Sequence, residues 1–131
     1  MTNETDPSVV TKTSPRSVAD TVSRLEEILS SKGVKLFAVI DQSQEAREVG
    51  LELRDTTLVI FGNPRAGTPV MTAAPLAALD LPLKLLIWAD ETCTKVSYYS
   101  PSDIAARHHL SDELAQGLTA INALSDALVA P

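Results

Sequence analysis

FGNPRAGTP, residues 61–69, separates an apolar segment at 56–61 (TTLVIF) from another that begins at Val70. The β-branched and aromatic residues of 56–61 predict a strand buried on both faces. Thr68 is a favoured N-cap and Pro69 a favoured first helical residue, which predicts a helix over 69–78, interrupted at Pro75. A strand that runs through such a loop into a helix brings unpaired amides and a positive dipole end to the loop. Gly62 and Gly67 allow a sharp turn and close approach of a ligand. Arg65 offers a fork of donors suited to a carboxylate or phosphate, and Asn63 adds one donor and one acceptor. Neither the dinucleotide fingerprint of spaced glycines nor the phosphate loop with its Lys is present. The same residue types also build ordinary stiffened turns, so a capped turn with no ligand is the competing reading.

The flanking sequence frames this loop. Residues 8–13 (SVVTKT) predict a first strand, and 14–17 (SPRS) break it. Ser17 with Asp20 resembles a capping box, and Val18, Val22, Leu25, Ile28 and Leu29 form one apolar helical face. Gly33 ends that helix. Residues 34–40 (VKLFAVI) are apolar at nearly every position and predict an interior strand. A short helix is expected over 43–49, with Gly50 closing it. Residues 83–89 (LKLLIWA) and 95–100 (KVSYYS), joined by the polar turn at 90–94, predict an antiparallel hairpin. Helices are expected over 101–108 and 111–129, the latter carrying Leu114, Leu118, Ile121, Leu124 and Leu128 as a stripe weakened by Gly117. This order predicts an α+β fold, a two-layer α/β arrangement with a mixed, largely antiparallel sheet of about five strands. Residues 1–7 are expected to be a flexible tail before a single domain at 8–131.

A chain of 131 residues with 44% hydrophobic content buries a core without metals or disulfides. Its net charge of −6 argues against nucleic-acid binding, which needs a basic stripe. The polar, acidic start is neither a signal peptide nor a basic presequence, and no apolar run approaches the length of a membrane span. A cytoplasmic protein with no membrane association is therefore expected.

Catalytic groupings are sparse. His108 and His109 are neighbours, which on a helix point about 100° apart, so a metal site is not expected. His108 is kept as an acid or base, with helix capping as its plainer role. Cys93, the single cysteine, sits beside Asp90 and Glu91, which disfavour a thiolate. Asp41 and Glu45 form a possible carboxylate pair, although Asp41 is better placed to cap the helix after it. Trp88, Tyr98 and Tyr99 read as packing residues, with either Tyr able to supply a pocket wall. Met71 reads as core.

Residues 46–88, AREVGLELRDTTLVIFGNPRAGTPVMTAAPLAALDLPLKLLIW, closely resemble the core of the domain-of-unknown-function 302 family. The pattern FGNP-x-x-GTP-x-M at 61–71 is the most specific part, and the likeness runs over about 8–110. The resemblance implies a compact α/β domain, commonly dimeric, with no established activity. Gln42 stands where many family members have His, which removes a possible base or ligand. The resulting expectation is a binding module for a small molecule or anion, built from Asn63, Arg65, Gly67, Thr68, Arg107 and His108, with no cofactor. A homodimer is expected from the apolar C-terminal stripe and from strands with little polar alternation. A ligand-free structural dimer, or an enzyme using the same pocket, are the alternatives.

Overall fold

The computed structural model describes residues 6–131. Of the tail expected at 1–7, residues 1–5 lie outside the described residues. The elements are β1 (Val9–Ser14), α1 (Val18–Ser31), β2 (Lys35–Asp41), α2 (Gln42–Glu48), β3 (Thr56–Gly62) and α3 (Pro64–Ala73). A 3-10 turn (Pro75–Leu79), β4 (Leu83–Ala89), β5 (Thr94–Tyr99), α4 (Pro101–Arg107), α5 (Asp112–Gln116) and α6 (Ala120–Val129) follow. The five strands form one sheet in the order β1-β5-β4-β3-β2, and every pairing is antiparallel. The two-layer α/β fold read from the sequence is the one observed.

Helices α1 and α6 cover one face of the sheet. Ser17 caps α1 by accepting a hydrogen bond from the Asp20 amide, and Gly33 follows with φ of 66°. Leu25 and Leu29 of α1 meet Val59, Phe61, Leu85, Ile87 and Val96 of the sheet, with Ile121, Leu124 and Leu128 of α6 completing the core. Two cations of the N-terminal region fasten α6. Lys12 Nζ lies 2.6 Å from Ser125 Oγ and 2.8 Å from Asp126. Arg16 donates to the Leu128 and Ala130 carbonyls at 2.9 Å each, satisfying groups that a helix end leaves unpaired.

Several local readings need correction. β2 is an edge strand, with six of its seven residues exposed and only Ala38 half-buried. Its apolar composition therefore does not mark an interior position. β3 alternates, with Thr57, Val59 and Phe61 buried towards the helices and Leu58 and Ile60 half-buried on the opposite face. The helix expected at 111–129 is two. Leu118 N donates to Ala115 O, and Thr119 N to Gln116 O, so the chain tightens into i→i−3 bonds around Gly117 and turns.

Candidate functional site

The loop at 61–69 proves to be mostly helix. Asn63, not Thr68, is the N-cap of α3, its Oδ1 accepting from the Arg65 amide at 2.9 Å. Pro64, not Pro69, is the first helical residue. Asn63 has its own extended backbone, as a cap requires, and Pro64 lacks only an amide that would be unpaired there. Pro69 lies inside the helix, where it removes one backbone donor. Thr68 is an interior position whose carbonyl accepts from Thr72 Oγ1. Gly67 is helical, and the left-handed glycines are Gly33 and Gly50.

Beneath α3 lies a cavity of about 410 Å³. Its floor is Phe61 and Leu83 of the sheet, and its roof is Ala66, Gly67 and Met71 of α3. Leu118, Ile121 and Leu124 close one side, while Val34 and Phe37 close the β2 edge. Leu81 and Pro82 complete the wall. Asn63 and Thr68 are its polar lining residues, and both are exposed, so they stand at the rim. The remaining lining is apolar, and among the described residues no titratable side chain lines it.

Two close approaches shape the space. A Cβ on Gly62 would meet Pro82 Cβ at 3.5 Å, and a Cβ on Gly117 would meet Ala66 Cβ at 3.5 Å. The strand end thus lies against the 81–82 segment, and the α5–α6 corner lies against α3. Between these contacts Gly67 is less crowded, with Met71 Cε 3.8 Å and Leu81 Cδ1 4.0 Å from the position of an added Cβ.

The structure divides the residues expected to act together. Asn63, Gly67 and Thr68 line the cavity, whereas Arg65 is exposed and outside the lining. Arg107 and His108 bind Asp80 instead. Arg107 donates to Asp80 Oδ2 at 2.8 Å, and His108 Nε2 lies 2.6 Å from the same oxygen. Burial pushes the Asp80 carboxyl up, but the hydrogen bonds and charges of His108 and Arg107 outweigh it and hold the group below its ordinary value. These three residues clamp the end of α4 to the segment before β4.

Asp41 caps α2, accepting from the Gln44 amide and Ser43 Oγ, and these bonds lower its pKa. Gln42, the departure from the family pattern, is the first residue of α2 and does not line the cavity. Tyr98 is buried, its hydroxyl donating to Asn122 Oδ1, so it supplies no wall. Met71, read as core, is a lining residue. The convergence of Phe37, Leu81 and Pro82 with Ile121 and Leu124 of the expected C-terminal stripe depends on tertiary placement. Their apolar character was the only sequence signal.

The sequence profile of the family described as "Domain of unknown function DUF302" matches residues 10–128. Similar curated proteins include "Fluoride-specific ion channel FluC 1" of Brucella suis biovar 1 (strain 1330), 38% identical over 106 residues, which are 80% of this chain and 42% of that protein. "Fluoride-specific ion channel FluC 2" of Brucella melitensis biotype 1 is 38% identical over 106 residues, covering 80% of this chain and 39% of the relative. The chain thus spans about two fifths of the length of these relatives. A similar solved structure is the "uncharacterized conserved protein DUF302 from Bacillus stearothermophilus", with a TM-score of 0.79 and 20% identity over 94% of this chain and 96% of that one. That likeness concerns the fold. Among the described residues no helix is long and apolar enough to cross a membrane.

Proposed function

The chain belongs to the DUF302 family, and from that premise we propose that it is a small-molecule-binding module whose ligand occupies the cavity beneath α3 and is predominantly apolar. The cavity carries this reading. Its volume, about 410 Å³, falls in the range of small-molecule sites, which combine apolar walls with a few orienting polar groups. Asn63 and Thr68 are suitably placed at the rim for that orienting role. Transfer of apolar surface from water drives such binding at about 25 cal/mol per Å². The scattering of Arg65, Arg107 and His108 favours a neutral ligand over an anion. The absence of titratable lining groups among the described residues favours binding over acid–base catalysis, which requires such a group within reach of the substrate.

The fluoride conduction named in the Brucella relatives is a different matter. We assign it to the larger part of those proteins outside the matched segment. An apolar cavity offers a small hydrated anion no compensation for lost water.

Thermal denaturation with n-octanol and naphthalene as apolar probes, and citrate and phosphate as anionic ones, tests the reading. A probe at ten times its Kd adds about 1.4 kcal/mol of stability, so the apolar probes should raise Tm by about 5 °C. Gly67→Leu, which fills the roof, should abolish the rise. Shifts with the anions alone, or an undiminished shift in Gly67→Leu, would overturn the assignment.

A further inference from the structure

Among the described residues, Asn63 and Thr68 supply the polar side chains of the cavity lining. Their hydrogen bonds decide what the rim has left for a ligand. Asn63 Oδ1 accepts from the Arg65 amide at 2.9 Å. A backbone N–H can only donate, so the side-chain oxygen is the atom that faces it, and Nδ2 is the end left over. Among the described residues Nδ2 has no acceptor in the protein. The other amides of the first turn of α3 are already bonded. Ala66 N and Gly67 N both donate to Asn63 O at 2.9 Å, and Pro64 has no N–H. The start of α3 therefore presents an anion with no spare amide, and no cation stands in the lining. Thr68 Oγ1 makes no bond back to the preceding turn, unlike Thr72 Oγ1, which donates to Thr68 O at 2.9 Å. Its hydroxyl stays available as a second donor.

We infer that the ligand is an uncharged compound with a carbonyl oxygen at one end, which accepts from Asn63 Nδ2 at the mouth while an apolar body fills the cavity. The inference rests on the small-molecule reading above and adds the ligand's class, a ketone, ester or amide. A carbonyl oxygen carries two lone pairs and brings no proton of its own, which matches a rim with two side-chain donors. A carboxylate would lose hydration with no cation to compensate it. An ammonium would meet Nδ2, itself a donor, and no carboxylate. A plain hydrocarbon would cover Nδ2 without replacing its water.

Phe37, Phe61 and Met71 in the walls suit an aromatic body. The probes are therefore methyl naphthyl ketone and the isopropenyl naphthalene of the same outline, in which a methylene group replaces the oxygen. Equilibrium dialysis of the full chain measures the ratio of their dissociation constants. Asn63 is exposed, so its bond competes with water, and the ketone should bind about 3- to 10-fold tighter than the alkene. Asn63→Asp keeps a capping oxygen of equal rank for the Arg65 amide and exchanges the donor for an acceptor. The ketone preference should vanish or invert in that variant, with thermal denaturation checking that it folds. Equal constants in the wild type, or a ketone preference that survives in Asn63→Asp, would overturn the carbonyl assignment and leave the apolar cavity standing as a site. Failure of both probes to bind, or undiminished binding of both in Gly67→Leu, would overturn the site and the inference with it.

Discussion

Replacing Gly67 by Ala tests the most consequential feature of the site, the helical state of the FGNP segment. A glycine in a tight left-handed turn loses stability when given a side chain, whereas a glycine inside a helix gains. Gly67 has its amide bonded to Asn63 O at 2.9 Å, within α3, and is not among the left-handed glycines. An added Cβ meets Met71 and Leu81 atoms at 3.8 and 4.0 Å, ordinary van der Waals contact. Helix propensity and reduced freedom of the unfolded chain together favour Ala by about 0.5–1 kcal/mol. At about 2.1 cal/mol/K of unfolding entropy per residue, that raises Tm by about 2–4 °C. Differential scanning calorimetry measures it, with Gly33→Ala as the internal contrast. Gly33 has open space around it but φ of 66°, so its substitution strains the backbone and should lower stability by about 1 kcal/mol. If Gly67→Ala falls as far as Gly33→Ala, α3 does not begin at Pro64, and the roof of the cavity has been misplaced.

Three further outcomes follow from named contacts. Asn63→Ala removes the cap of α3 and should cost about 1 kcal/mol in chemical denaturation, while Thr68→Ala stays within about 0.5 kcal/mol; equal losses would restore Thr68 as the cap. Asp80 has a folded pKa below its ordinary 3.8, so its contribution is present above that value and is lost as pH falls through the folded one. Asp80→Asn should therefore flatten the acid limb of the stability curve, and parallel limbs for the two proteins would exclude this linkage. Arg16→Ala should cost about 1–3 kcal/mol by freeing the Leu128 and Ala130 carbonyls at the end of α6. Arg16→Lys should recover little of it, because an ammonium lacks the fork that reaches both oxygens; full recovery by Lys would reduce the contact to charge.

Periodic features were legible where local chemistry alone decides them. Ser17, Asp20 and Gly33 bound α1 because capping and left-handed termination depend on a few adjacent residues. The β4–β5 hairpin was legible for the same reason, its polar turn being closed by Asp90 N to Cys93 O. The position of β2 was not, since an apolar strand reads alike in the centre of a sheet and at an edge. The start of α3 was misplaced by five residues because two Pro sites, 64 and 69, both follow a good capping side chain. Only the backbone conformation of Asn63 separates them. The Arg107–His108–Asp80 clamp joins residues 27 and 28 apart in sequence, beyond any spacing rule.

The polar residues that drew notice in FGNPRAGTP thus serve an apolar space. The Asn63 side-chain Oδ1 accepts from the Arg65 amide, and Arg65 turns to solvent. A side chain on Gly62 would put its Cβ 3.5 Å from Pro82 Cβ, and the bare Gly67 leaves the roof thin above Leu81. Gly67 lets α3 lie close to Leu81, and Gly62 lets the end of β3 lie close to Pro82. None of them places a charge within the walls. If recognition rested on charge, exchanging Gly67 for Ala would leave affinity unchanged, because Ala alters no charge. If it rests on fit, the added methyl should weaken the larger apolar probes while sparing the smaller ones. The same substitution that stabilises the fold then separates shape from charge as the basis of selection, with opposite signs expected for stability and for affinity.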